Sequence, residues 1–550
     1  MDVKPLKWAL SVSVLALLAV PAWAQTAAQT DAATAAVKAP AQTAPAAQSA
    51  APATDQATPT PLSNVTAPLP SAVTEPAGDD VAPAAKLPAP AGSVTPGDAA
   101  AAAPSDLPPA TPDAQVNVKT LPEDKATAGT LSNNECEMAL QEITTLREPE
   151  FSSGNAWDLV DGGDGMDVFT DVIPLDKNMT VVAGAFTKDK EDKTYHPLIV
   201  KYDERLKKVW EVHAVTADYK TVHRILKTKQ GYTVLGDVQD KKRGNGIYIA
   251  FYDENGKPKG EAPIYEDGGN LDSKSLIMSS DAAGYIIAAQ YIDAKDDSQQ
   301  HGILYKVTKS GQRIWKRSYQ PGMTTVFQNV QPTLDGQYLL TGQIITENNK
   351  SGGWMMRIDN KGAIGWQRTY PRGLAASIQG ASQFKDGSIL VSGKIRPLSG
   401  TDSGLAAWVM KTDSTGTPLW QRYFKSPHYD YGAADSIVYE DGRASVLITG
   451  AAIEKGYRSH ARLMTFSPRG HIQSLEDFTE GQNANANRLV VGLAGERIIT
   501  GYAQTSFGDH QEGDDAAPEY TYDGWIVAGV PLDLYSDPCV PPKQGSPILP

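Results

Sequence analysis

From about Asp167 to Val530 the chain repeats itself roughly every 52 residues, and a period of that length narrows the fold more than any other feature of the sequence. One copy reads Asp335-Gly336-Gln337-Tyr338-Leu339-Leu340-Thr341-Gly342, then Met356-Arg357-Ile358-Asp359-Asn360-Lys361-Gly362, then Trp366-Gln367-Arg368-Thr369-Tyr370. The next reads Asp386-Gly387-Ser388-Ile389-Leu390-Val391-Ser392-Gly393, then Met410-Lys411-Thr412-Asp413-Ser414-Thr415-Gly416, then Trp420-Gln421-Arg422-Tyr423-Phe424. A first turn recurs at Gly231, Gly284, Gly336, Gly387, Gly442 and Gly495, with an earlier equivalent at Lys177-Asn178. A second recurs at Gly256, Gly311, Gly362, Gly416 and Gly470. Asp or Asn before Gly supplies the backbone conformations of a tight hairpin. Between the turns lie short runs such as Ile247-Tyr-Ile-Ala-Phe-Tyr and Tyr285-Ile-Ile-Ala-Ala, rich in β-branched and aromatic residues. Four strands per unit and seven units predict an all-β chain: a seven-bladed β-propeller of four-stranded antiparallel blades.

The rest of the composition fits a ring of this kind. Every aromatic residue except Trp8 and Trp23 lies at or after Phe151, so the packed core falls in the last 400 or so residues. That is long for one core and ordinary for repeated units that each bring their own. The last unit lacks an evident fourth strand, for which the segment near Leu532 to Tyr535 or residues before Phe151 are the candidates. A short helix is expected only around Glu137 to Thr145. The fourth-strand pattern Trp-x-Arg-x-aromatic (Trp315, Arg317, Tyr319; Trp366, Arg368, Tyr370; Trp420, Arg422, Phe424) puts all three side chains on one face. A residue repeated in each unit serves the repeat, so this array is expected to pack blade against blade rather than stack a ligand.

Ahead of the ring, residues 1–24 read as a secretory signal: Lys4 and Lys7, the apolar run Trp8 to Val20, and the small-x-small site Ala22-Trp23-Ala24. The run is too short to span a membrane, which predicts a periplasmic or secreted protein starting near Gln25, with no transmembrane segment in the mature chain. Residues 25–125 are Ala, Pro, Thr, Gln and Asp without an aromatic residue or an Arg. Such a segment cannot bury enough apolar surface to offset its chain entropy and is expected to be disordered, as a tether or as a solubilising tail. Residues 126–166 lead into the propeller, assigned to 167–550. The net charge of −14 argues against nucleic acid as a partner. Cys136 and Cys539 bracket the ring, and in an oxidising compartment a disulfide between them would clamp its start to its end.

The Asp-x-x-Gly turn followed by Trp four residues later (Asp359, Gly362, Trp366; Asp413, Gly416, Trp420) resembles the repeats of quinoprotein-like propellers. These include the pyrroloquinoline-quinone dehydrogenases and the outer-membrane-assembly propeller lipoproteins. The resemblance implies the fold and an envelope location. It does not carry a function: the dehydrogenases use adjacent cysteines beside their cofactor, and the lipoproteins a lipidated Cys at the mature start, where this chain has Gln25.

Candidate sites follow from the ring. Ligands of a propeller enter at the mouth of its central channel. Seven residues before each first turn stand Asp171, Arg224, Ile277, Asn329, Gly380, Asp435 and Arg488, and one residue earlier Thr170, His223, Leu276, Gln328, Gln379, Ala434 and Asn487. The polar members Asp171, His223, Arg224, Asn329, Gln379, Asp435 and Arg488 are the binding candidates, with Asp171 or His223 as an acid or base if chemistry occurs there. The alternative is a set of lining residues bonded to one another and to water. Gly162-Gly163-Asp164-Gly165-Met166-Asp167 fits one copy of a calcium-binding nonapeptide, whose ion sits between stacked copies. A second acidic loop holds Asp509, Asp514 and Asp515. Calcium is thus the one cofactor in view, with Asp164, Asp167, Asp509, Asp514 and Asp515 as its ligands. A glycine-rich lead-in loop and a solvated acidic loop are the plainer readings, under which the chain has no cofactor. No phosphate loop, Cys metal cluster or Ser-His-Asp set is recognisable. The expected function is a non-enzymatic envelope protein presenting its propeller on a tether to a protein or glycan partner. The alternative is an enzyme acting at the channel mouth, a sugar-directed hydrolase or lyase or a quinone-dependent oxidoreductase.

Overall fold

A computed structural model describes residues 117–120, 141–151 and 158–532, apart from 190, 217, 346–350, 372, 397–403, 455–456, 480–481, 494, 508–519 and 531. The expected signal, the tether up to residue 116, Cys136, Cys539, Asp509, Asp514 and Asp515 lie outside the described residues.

Seven four-stranded antiparallel sheets follow one another along the chain: blade 1 (167–213), blade 2 (224–264), blade 3 (269–319), blade 4 (324–370), blade 5 (375–425), blade 6 (429–478) and blade 7 (482–530). The first strand of each blade touches the first strands of both neighbours, all the way round, so these seven strands line an axial channel. Seven apolar clusters hold the ring, and blade 7 and blade 1 share one of them through Phe169, Val182, Ile498 and Ile526. Because each blade is covered on both faces, its middle strands are buried on both faces. Gly231–Asp240 is buried over its first eight residues, whereas the outer strand Lys208–His213 alternates between exposed and half-buried. This explains why the middle strands read as continuous apolar runs instead of an alternating pattern. Among the described residues no helix is long and apolar enough to cross a membrane.

The Trp-x-Arg-x-aromatic array packs blade on blade, as expected. Tyr319 Oη donates to Gly362 O of the next blade at 2.8 Å, Tyr370 Oη to Gly416 O at 2.6 Å, and Arg422 Nε to Gly470 O at 3.1 Å. The turn glycine is required twice over. At Gly470 φ is +83°, and an added Cβ would lie 2.8 Å from Cε2 of Trp420. The two signals that define the repeat in sequence are therefore two halves of one contact between successive units.

Three details differ from the sequence-based expectation. The ring is closed neither by 532–535 nor by residues before Phe151 but by Leu159–Asp161, which pairs antiparallel with Gly524 to Ile526 as the fourth strand of blade 7. Asp158 fixes that strand by accepting the Ala528 N–H at 2.6 Å, and Asp161 reaches back to Lys208 of blade 1 at 3.1 Å. The end of the segment expected to lead in, Leu159–Asp161, is thus a strand of the propeller. Residues 141–145 form a strand and not a helix, running parallel to Gln421–Lys425 on the outer edge of blade 5. The β-branched run Ile143-Thr144-Thr145 suits that open edge better than a helix. Asn117–Thr120, expected within the unstructured tether, adds a further parallel strand outside it. From blade 5 the chain crosses blade 6, where Asp477 accepts from Arg147 at 2.9 Å and from the Glu150 N–H at 3.1 Å. The lead-in therefore straps three consecutive blades.

Candidate functional site

The channel wall is shaped by one irregularity repeated around the ring. In six first strands the register shifts so that a single residue bulges out: Thr170, Lys274, Gln328, Gln379, Ala434 and Asn487. In blade 2 the ladder starts at Arg224, and His223 takes the same place. The residues that follow are Asp171, Arg224, Ser275, Asn329, Gly380, Asp435 and Arg488. A glycine opposite the bulge permits it: a Cβ on Gly342 would lie 2.0 Å from Val326 O, and Gly184, Gly236, Gly393 and Gly501 are similarly pressed. All seven residues expected at the channel, Asp171, His223, Arg224, Asn329, Gln379, Asp435 and Arg488, thus fall on this double ring.

Blade 3 is the exception to the counting. Its turn residue with positive φ is Ala282 (φ 53°), whose N–H bonds Ser279 O at 2.8 Å, and the turn runs on to Gly284. Counting back from Gly284 stops two residues short, so the ring positions belong to Ser275 and Lys274, not Ile277 and Leu276.

Arg488 spans its own closing blade to join its neighbours. Its Nε lies 3.0 Å from Asp171 Oδ1 of blade 1, and its Nη1 lies 3.0 Å from Asp435 Oδ2 of blade 6. Each carboxylate also accepts a backbone N–H from the following blade, Asp171 from Ile225 at 2.9 Å and Asp435 from Leu489 at 3.0 Å. Burial alone would favour a neutral guanidinium; the charges of Asp435 and Asp171 outweigh it and push the Arg488 pKa up. Further round, Ser275 Oγ donates to Asn329 Oδ1 at 2.7 Å. At Gly380 a Cβ would sit 3.3 Å from Ser392 Oγ of the same blade, 3.7 Å from Asn329 Nδ2 and 4.0 Å from Asp435 Oδ1, so the three blades meet closely here.

A second tier lies two residues further along each second strand. In blade 2 it holds Asp237, whose Oδ2 is 3.1 Å from His223 Nε2 and whose Oδ1 accepts the Ser273 N–H at 2.8 Å. Burial would raise that carboxyl, but the His223 imidazole and the Ser273 donors hold it below the usual range. In blade 5 the position is Lys394. Its stem lies beside Gly432 of blade 6, where a Cβ would be 3.8 Å from Lys394 Cδ. Enclosure pushes its ammonium down to about 8, against a partial counter-effect from Asp430. The sequence reading missed Asp237, Lys394, Ser275 and Lys274. Counting forward seven residues from the turn glycine would have found Lys394, as counting back found Gly380.

The two acidic candidates meet in part. Asp167 Oδ2 accepts the Gly163 N–H at 2.8 Å, and Asp523, from the strand that follows the acidic loop, presses on Gly162. Burial, then the charges of Asp523 and Asp161, push the Asp167 carboxyl up to about 6. Among the described residues no group of three or more carboxylate, imidazole or thiolate side chains is placed to hold a metal ion.

No protein-family model matches the chain, and no curated protein is similar to it. Solved structures that resemble it include a puromycin hydrolase (11% identity, 64% of this chain and 60% of that one, TM-score 0.33). An ancestral GH74 enzyme (12%, 67% and 48%, 0.39) and a Hadza microbial sialidase (10%, 62% and 73%, 0.37) are also similar. The chain spans about three fifths of the length of the puromycin hydrolase.

Proposed function

We propose that this is a non-enzymatic binding protein of the cell envelope: a secreted propeller on a flexible Ala/Pro-rich tether that receives a protein or glycan partner at the channel mouth. The observation that carries this reading is the commitment of the channel's buried carboxylates to cations and backbone donors. Asp171 and Asp435 are held by Arg488 and by backbone N–H groups of the next blade, so neither is free to move a proton. Around them stands a rim of differing polar side chains, Gln328, Gln379 held by Ser377 Oγ at 3.0 Å and Asn487 held by Phe169 O at 2.7 Å, together with the cations Arg224 and Lys394, which suits recognition. The partner is sought by presenting the purified protein to solubilised envelope proteins and to envelope glycans. Saturable binding that Gln379→Leu and Asn487→Leu weaken, with the captured partner unchanged by mass spectrometry, is the expected result. No saturable partner, or a partner chemically converted, sinks the proposal.

One observation favours the enzymatic alternative. His223 is oriented through Nε2 by Asp237 and Thr221, and no hydrogen bond to Nδ1 is formed among the described residues. An imidazole so held is fitted to general-base work. Turnover of the captured partner that disappears in His223→Gln would establish that reading instead.

A further inference from the structure

Among the described residues the channel carries five carboxylates, and each is engaged. Asp171 and Asp435 bind Arg488; Asp237 binds His223; Asp272 binds Lys274 Nζ at 2.6 Å; Asp430 accepts the Leu405 N–H. Two cations have no such partner. Arg224 makes one described hydrogen bond, from Nη1 to His223 O at 3.1 Å, and Lys394 makes none. Neither forms an ion pair among the described residues. Both pay desolvation for their enclosure: burial draws the Arg224 guanidinium down, and the more distant Asp171 and Asp435 restore only part of it. Both side chains are half-buried on the channel wall and, with no ion pair there among the described residues, an anionic ligand entering the channel can reach and neutralise them.

The two stand on opposite arcs of the channel, in blades 2 and 5, with Ser275 and the Asn329 amide on the blades between and the small residue Gly380 on the first strand of blade 5. Ser275 occupies the Asn329 carbonyl oxygen, which turns Nδ2 toward Gly380, and among the described residues Nδ2 makes no hydrogen bond. We propose that the channel binds a ligand carrying two carboxylates, one on Arg224 and one on Lys394, with Asn329 Nδ2 as a neutral donor beside them. The proposal rests on the binding reading above only in placing the ligand at the channel. In an envelope this chemistry has two sources, the uronic-acid units of a glycan or an acidic carboxy-terminal peptide.

Calorimetry on the full chain tests it with trigalacturonate against its methyl ester, and with a tripeptide ending in Asp against its fully amidated form. At least one acid binds and its neutral form does not, which also identifies the source. Arg224→Gln and Lys394→Met each weaken binding about tenfold or more. Failure of both acids, equal binding of a neutral form, or full affinity in either variant overturns the proposal. A ligand-free measurement guards against misfolding. Lys394→Met removes an unpartnered ammonium, so its unfolding midpoint holds or rises, and a marked fall would mean the ammonium has a partner within the fold and overturns the site. If the probes fail while an envelope partner binds, this inference alone falls. If the probes bind but no envelope partner exists, or the probe is turned over, the non-enzymatic reading falls and the site stands.

Discussion

Replacing Arg488 with methionine removes the guanidinium that joins blades 6 and 1 while keeping most of the stem. The carboxylates of Asp171 and Asp435 are almost fully buried, at 3% and 4% exposure, and would be left with backbone N–H donors alone. Breaking a buried ion pair from one side costs about 3–5 kcal/mol. The Arg488 side chain keeps 26% of its surface exposed, so solvent screens part of the interaction. A loss of about 2–4 kcal/mol is therefore expected. Urea unfolding of the full chain, followed by tryptophan fluorescence, reads it as a lowered midpoint. The decisive comparison is the triple variant Arg488→Met with Asp171→Asn and Asp435→Asn. With the charges gone from both sides, most of the loss should return, since neutral amides still accept from Ile225 and Leu489. If Arg488→Met changes the midpoint negligibly, or the triple variant is less stable than the single one, the clamp does not hold the ring and the reasoning fails.

Gly470→Ala forces a non-glycine residue into φ +83° and drives a Cβ against Trp420, for an expected loss of about 2–4 kcal/mol by the same unfolding measurement. The equivalent change at Gly495, where nothing lies within 4 Å, should show only the backbone part, about 1–2 kcal/mol. Burial, then the nearby Arg462 charge, draws the His460 imidazole down to about 4, so the stability it contributes is complete above pH 6.5 and is lost as pH falls toward 4. Asp167, pushed up to about 6, acts the opposite way, its contribution being present below pH 4 and lost as pH rises to 6. Asp167→Asn should therefore raise stability at pH 7, by roughly 3 kcal/mol at most, and steepen the acid-side decline in a pH series of unfolding midpoints; an unchanged profile would refute the Asp167 assignment, and a His460→Gln variant that keeps the full decline between pH 6.5 and 4 would refute the other. We also propose that Cys136 and Cys539 form a disulfide, which thiol titration of the denatured, unreduced chain would show as no free thiol; two free thiols exclude it.

The blade count, the strand order and the blade-to-blade role of Trp366, Arg368 and Tyr370 were all legible in sequence, because each rests on local chemistry repeated at a fixed period. A turn glycine with positive φ is needed wherever the hairpin occurs, and it announces itself. Six of the seven ring positions followed from counting back along strands of constant length. Blade 3 broke the count because Ala282 fills the left-handed turn position while Gly284, two residues on, draws the eye, and a rule keyed to glycine takes the wrong residue.

The surroundings of Lys394 and Asp237 were hidden for another reason, although the position of Lys394 could have been counted. Each sits in a middle strand whose neighbours in sequence are buried, and its surroundings come from a different blade: Gly432 for Lys394, and Ser273, beyond its own blade's His223, for Asp237. The strand that closes the ring was equally unmarked, since Leu159–Asp161 is three residues long and acquires meaning only from the free edge beside Trp525. The amino-acid sequence by itself thus determined the repeating unit and how often it recurs, because turn, strand and packing signals act within some fifty residues. Which charges meet in the channel, which are left without a partner, and where the circle joins were decided only by tertiary structure, because those contacts link residues that are near only once seven blades close on themselves.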